Sequence, residues 1–265
     1  MLKQTMLGKK DIDRIVSLAY ESGKLGLKHF GRVGVERKPD RSFVTDADRE
    51  IELLVRRELR RITPGYGILG EEQGLEKGEH ADSPYWVVDP LDGTGVFVSG
   101  IPCWSFSLGL VQGEEAVFGI IYIPVTDELY WTGHDGRVYL NGAPCEPVQP
   151  AVLDSQAVLY NTNSDIYREY RIEYTGKIRC LGSAAYHGVL THRPYTAAVL
   201  QGRLYLWDMA AVLAINEAWG IKAADLEGNP VKISEWRTDK TNRVPVLLAH
   251  PDNFDAVAST IKRTG

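Results

Sequence analysis

The stretch from Tyr66 to Pro144 constrains the chain most. It contains YGILGEE, WVVDP, CWSFSLGLVQGEEAVFGIIYIP and DELYWTGHDGRVYLNG, which are strand-length apolar runs broken by glycine-containing turns. That pattern predicts a meander of antiparallel strands. Two amphipathic helices are expected before it. Asp11 to Phe30 carries Ile12, Ile15, Val16, Ala19 and Leu25 after an acidic start and closes near Gly31. The second, from about Asp46, places Ile51, Leu54, Val55, Leu59 and Ile62 on one face and stops at Pro64-Gly65. Between them, GRVGVERKPDRSFVT reads as a strand or an exposed loop.

Beyond the meander, AVLYNT and KIRCLG read as strands, GSAAYHGVLTH as a helix opened by glycine, and YTAAVLQGRLYL as a hairpin. A helix is expected from Asp208 to Trp219, then strands around Ile221 to Ile233 and at PVLLAH, and a last helix from Pro251 to Lys262. Proline concentrates in APCEPVQPAV, which puts a boundary near Pro144 to Val152. The expectation is an N-terminal α+β half over residues 1–145 carrying most candidate metal ligands, and a C-terminal α/β half over 146–265 carrying Asp208 and substrate-contacting segments. Overall the chain reads as layered and mixed α+β.

Charge narrows the partners. With 30 Lys and Arg against 35 Asp and Glu, the net charge of −5 leaves no broad basic footprint, so a nucleic-acid polymer is disfavoured. Any substrate phosphate has to be neutralised locally. Cys103, Cys145 and Cys180 show no CxxC spacing, which argues against structural zinc and a disulfide framework and for a reducing compartment. No apolar h-region opens the chain and no run approaches membrane-spanning length, so a soluble, cytoplasmic protein without a membrane partner is expected.

The carboxylates carry the chemistry. In WVVDPLDGTG, Pro90 should stop a buried strand, leaving Asp89 and Asp92 at its rim. Two acids held together repel unless a cation or a proton intervenes, and a turn that adds a backbone carbonyl suits a hard-oxygen ion such as Mg²⁺. Gly93 permits close backbone approach, and the amides after it can cradle an anion. Three further acidic corners are weaker alone. Glu71 and Glu72 in ILGEEQG have the look of a solvated turn, Asp208 in YLWDMAAVLA that of a plain N-cap, and Thr45 with Asp48 the spacing of a capping box. Taken together, one composite metal site explains them better than four coincidences.

With these residues assembled, the sequence resembles the inositol monophosphatase family of Mg²⁺-dependent, lithium-sensitive phosphatases. Its central motif stands here as DPLDGT at Asp89 to Thr94, its second signature as WDMAAVLAINEA from Trp207 to Ala218, and GEE at Gly70 to Glu72 and VTDAD match as well. The resemblance implies a layered α-β-α-β-α sandwich of the sugar-phosphatase type, dimeric, acting on a small phosphate ester. Inositol monophosphate leads, with fructose 1,6-bisphosphate and 3′-phosphoadenosine 5′-phosphate behind, and a silent relative kept only for binding or regulation is the remaining alternative. It implies two Mg²⁺ per site, with room for a third. Glu71, Asp89 and the Leu91 carbonyl would bind one ion, and Asp89, Asp92 and Asp208 the second. Asp48, Thr94 and Glu71 would form the catalytic set, with Asp48 and Thr94 activating the water. Gly93, Thr94, Gly182, Ser183, Gln201 and Asp208 would contact substrate. Three positions depart from the family pattern: Val96 replaces an Asn, Gln201 a hydroxyl-gripping Glu, and Trp219 a Gly. They bear on substrate identity rather than on metal chemistry.

Overall fold

The computed structural model describes residues 7–32, 35–37, 43–162, 166–202, 204–236 and 244–264. The first half runs α1 (Lys9–His29), β1 (Val35–Arg37), β2 (Phe43–Thr45), α2 (Asp46–Ile62), β3 (Gly67–Gly70), β4 (Gly74–Glu76), β5 (Tyr85–Asp92), α3 (Thr94–Val98), β6 (Ser105–Gln112), β7 (Glu115–Ile123), β8 (Glu128–Thr132), β9 (Val138–Leu140) and β10 (Ala143–Pro144). The second runs β11 (Val158–Asn161), α4 (Ile166–Glu169), β12 (Tyr170–Ile172), β13 (Lys177–Arg179), α5 (Ala184–Val189), β14 (Thr196–Gln201), α6 (Leu206–Ala218), β15 (Lys222–Ala224), β16 (Val246–Ala249), α7 (Pro251–Ala258) and β17 (Ile261–Arg263).

Side-chain alternation builds the layers. In β5, Trp86 and Val88 face one way, onto the core formed with Ile15, Ile51 and Val55 of α1 and α2. Val87 faces the other way, into a core shared with Met209, Ala210 and Val212 of α6. The same alternation recurs in the second sheet, where Val199 and Leu248 join the α6 core while Leu200 and Leu247 pack with Phe254 and Val257 of α7. The layers are therefore α1 and α2, the eight-stranded sheet β10-β9-β8-β7-β6-β5-β3-β4, α5 and α6, the five-stranded sheet β13-β11-β14-β16-β15, and α7. This is the expected α-β-α-β-α sandwich. No helix among the described residues is long and apolar enough to cross a membrane.

Five local expectations are corrected. Pro90 does not end its strand: β5 continues to Asp92, because Asp89 opposes Ser107 and Asp92 opposes Ser105, a bulge in which a residue without an N–H is tolerated. The meander is not wholly antiparallel, since β3 pairs with β5 in parallel. The described residues of YTAAVLQGRLYL form no hairpin: β14 pairs with the distant β11 and β16, and Leu206 already belongs to α6. The last helix stops at Ala258, and β17 then pairs with β12. Around Ile221 to Ile233 only β15 is a named strand, and Ile233 opens a 3-10 turn.

Candidate active site

Two helices deliver acids by the same local device. Thr45 precedes α2 and Asp48 is its third residue, so the Asp48 Oδ2 accepts from the Thr45 N–H at 2.7 Å and from the Thr45 hydroxyl at 2.6 Å. Its Oδ1 lies 3.4 Å from the Thr94 hydroxyl, which also reaches the Leu91 carbonyl at 3.1 Å. The cap and the site thus use different oxygens of one carboxylate. Asp208 is likewise the third residue of its helix rather than its N-cap, and its Oδ2 accepts from the Tyr205 N–H at 2.7 Å. α6 approaches the large sheet closely because a Cβ on Gly109 would lie 2.7 Å from the Ala210 Cβ, and one on Gly119 would strike the Ala211 carbonyl. Only glycine against alanine allows that approach.

The β5 bulge aims the other acids. Asp89 Oδ1 accepts from the Leu91 N–H at 2.9 Å, closing an Asx-type turn over Pro90. Asp92 is encircled by donors: the Ser183 hydroxyl, the Ser105 hydroxyl at 3.3 Å, and the amides of Ala184 at 3.2 Å and Ala185 at 2.6 Å. One carboxylate oxygen from each of Asp89, Asp92 and Asp208 lies within 4.8 Å of the others. Burial pushes the Asp89 carboxyl well above the usual range, reinforced first by the charge of Glu71 and then by Asp92 and Asp208. Burial also raises Asp208 well above it, with Asp92 and Glu71 next among the causes. Asp92 is raised by burial too, against its bonds from Ser183, Ala185, Ala184 and Ser105. A buried, mutually repelling set of hard oxygens fits a divalent cation, which would neutralise the repulsion.

The structure therefore brings Asp48, Glu71, Asp89, Leu91, Asp92, Thr94 and Asp208 to one place, Glu71 on the turn after β3 with its N–H bonded to the Val88 carbonyl at 3.2 Å. Gly93, with a φ of 90°, is the left-handed residue that opens α3. Gly182, at a φ of 93°, leads into Ser183, whose hydroxyl serves Asp92 and accepts from the Tyr186 N–H at 3.1 Å. Ser183 rather than glycine thus opens α5. Gln201 is fully buried. Its Nε2 donates to the Ala184 carbonyl at 2.9 Å, while its Oε1 has no partner among the described residues.

Of the three departures, Val96 packs against Gly182, where a Cβ would strike its Cγ1. Trp219 lies at the C-terminus of α6, stacked on His192 at 4.9 Å, and Gly220, at a φ of 74°, supplies the left-handed residue one step later. The sequence reading missed Ser105 and the Ala184 and Ala185 amides. Serines at positions 105 and 107 of an otherwise apolar strand were the available signal for the first; the amides carry none, being backbone.

The inositol monophosphatase family profile matches residues 10–263. The chain is 34% identical over 242 residues to the inositol-1-monophosphatase ImpA of Mycolicibacterium smegmatis, a match covering 86% of this chain and 83% of that protein. It is 29% identical over 239 residues to a fructose-1,6-bisphosphatase/inositol-1-monophosphatase of Aquifex aeolicus, covering 85% and 88%. Among solved structures, an IMPase of Thermotoga maritima superposes with a TM-score of 0.79 at 27% identity, covering 94% of this chain and 95% of that one.

Proposed function

The chain belongs to the inositol monophosphatase family and is a phosphoric monoester hydrolase, and on that premise we propose that it hydrolyses a small phosphorylated polyol or sugar, inositol monophosphate first, by attack of water at a Mg²⁺ site. The observation that carries this reading is the cluster of Asp89, Asp92 and Asp208 oxygens within 4.8 Å of one another. Glu71, Asp89 and the Leu91 carbonyl would hold one ion, and Asp89, Asp92 and Asp208 a second. Bound Mg²⁺ supplies Lewis-acid polarisation of the phosphate, a more acidic water and stabilisation of the leaving alkoxide.

The chain's own groups handle the proton. When the Leu91 carbonyl serves as a ligand, the Thr94 hydroxyl keeps Asp48 Oδ1 as its remaining acceptor among these two. Donating there, the hydroxyl turns a lone pair outward to the attacking water. As the water attacks phosphorus and the P–O bond to the ester oxygen breaks, the water's proton passes to Thr94 Oγ1 and the Thr94 proton to Asp48, while the departing alkoxide takes a proton from solvent water. The amides of Gly93 and Thr94 would hold phosphate oxygens at the start of α3. A homodimer, on the family resemblance, and a reducing cytosol, on the cysteine usage, complete the reading.

The name of the Aquifex aeolicus relative supports a second substrate, fructose 1,6-bisphosphate. Gln201 bears on this choice only by omission: it is fully buried with its Nε2 on the Ala184 carbonyl, so this position offers a substrate hydroxyl no carboxylate. The expected enzyme is broad, with the two substrates separated by roughly tenfold or less in kcat/KM, about one neutral hydrogen bond. Phosphate release from inositol 1-phosphate, fructose 1,6-bisphosphate and 3′-phosphoadenosine 5′-phosphate, with Mg²⁺ and after exhaustive chelation, tests both parts. Turnover that survives chelation sinks the metal reading, and silence on all three esters sinks the substrate class.

A further inference from the structure

We propose that Glu52 is a positioning residue that sets the affinity of the site for divalent cations by holding the turn that carries Glu71. This rests on the reading of Glu71 as a metal ligand. Glu52 is fully buried in α2, and its carboxylate points at backbone. Oε2 accepts from the Glu72 N–H at 2.7 Å and Oε1 from the Gln73 N–H at 3.0 Å, so the two residues after Glu71 are fixed by one side chain. The Glu71 N–H is itself fixed to the Val88 carbonyl, one residue before Asp89. The turn is therefore clamped to α2 on one side and to the strand bearing Asp89 on the other.

Spacing makes the clamp a property of one helix face. Asp48, Glu52 and Arg56 lie at successive four-residue intervals on α2 and share a stripe. The first faces Thr94 and the second holds the Glu71 turn. The third makes a buried charge at Glu52 tolerable: Arg56 Nε donates to Glu52 Oε1 at 2.9 Å, and the guanidinium also reaches Glu76 at 3.3 Å and the Gly74 carbonyl. Gly70 leaves room for this arrangement, since a Cβ there would collide with Glu52 Oε1. A buried carboxylate whose desolvation is offset by an arginine, and whose oxygens go to consecutive amides beside a proposed ligand, fixes that ligand's approach.

Mn²⁺ titration followed by the electron paramagnetic resonance of the free ion reads the inference without turnover. Glu52→Gln replaces one acceptor by a donor facing an amide and should weaken Mn²⁺ binding by about 10- to 100-fold, the usual consequence of losing an outer partner of a ligand. The Mg²⁺ concentration for half-maximal activity should rise in parallel. At saturating Mg²⁺ the KM for the ester should stay within about threefold, because substrate binding is not what the clamp sets. Gly70→Ala keeps every charge and displaces the Glu52 carboxylate, so it should weaken Mn²⁺ in the same direction and answers the question if Glu52→Gln does not fold. Glu76→Gln removes the other carboxylate partner of Arg56 and should leave Mn²⁺ affinity unchanged. Folded Glu52→Gln and Gly70→Ala with lowered melting temperature but parent Mn²⁺ affinity overturn the inference. Glu71→Gln in the same titration separates the failures: unchanged affinity there removes the ligand assignment beneath it, whereas weakened affinity there with parent affinity in Glu52→Gln removes the positioning role alone.

Discussion

A carboxylate has two oxygens, and three of the site's aspartates give one of them to the protein's own backbone. Asp48 gives Oδ2 to Thr45, Asp89 gives Oδ1 to the Leu91 N–H, and Asp208 gives Oδ2 to the Tyr205 N–H. That bond fixes the rotamer and leaves the second oxygen for chemistry. Asp48→Asn can keep its carbonyl oxygen on Thr45, so the loss of capping stability should be below about 1 kcal/mol, while the proton acceptor for Thr94 is gone. Turnover should fall by orders of magnitude at nearly unchanged melting temperature; near-parent turnover would leave Asp48 as a cap only. Asp92 differs, because donors reach both of its oxygens. An amide NH₂ there would face an N–H or hydroxyl donor, so an Asn variant at this position would confound stability with metal binding.

At the scale of elements, α5 shows how a neutral histidine serves the site. His187 is buried, its Nε2 accepts from the Leu181 N–H at 2.8 Å, and burial lowers its pKa to about 4. A base depressed in the fold contributes stability that is present above its unfolded pKa, near 6.5, and is lost as pH falls through its folded value. The difference in urea midpoint between the parent and His187→Gln should therefore shift against the parent as pH falls from about 6.5 to 4, over the opposite trend of the buried carboxyls that both proteins share; a difference constant with pH would remove His187 from the account. The helices α1, α2 and α6 were legible because periodicity and acidic first turns are local signals. The β14 region was not, since LQGRLYL has hairpin chemistry locally while its partners lie far away in β11 and β16. Pro90 misled for a related reason: only the register against Ser105 and Ser107 turns a strand stop into a bulge. Acids bound for the site could be picked out by residue type and motif, whereas their supports, Ser105 and Glu52, resemble any polar residue in an amphipathic element.

For the whole molecule, the decisive fact is that α6 lies between the two large sheets and brings Asp208 to acids carried by the first. Elements distant in sequence thus meet at a point of like charge. Carboxyls raised in the fold contribute stability that is fully present below their unfolded pKa, near 3.8, and is lost as pH rises through their folded values. The metal-free site therefore costs stability at neutral and higher pH, where the cluster ionises. Mg²⁺ should offset that cost and add binding linkage of about 2.7 kcal/mol at a hundredfold excess over its Kd. Scanning calorimetry should find that Mg²⁺ raises the melting temperature, and by more at pH 8 than at pH 5, since protons compete for the same oxygens. Asp208→Asn, which can still accept from the Tyr205 N–H, should raise the metal-free melting temperature at pH 8 and largely remove the Mg²⁺ increment. A Mg²⁺ increment that is absent, or independent of pH, would mean that these buried acids do not share a cation.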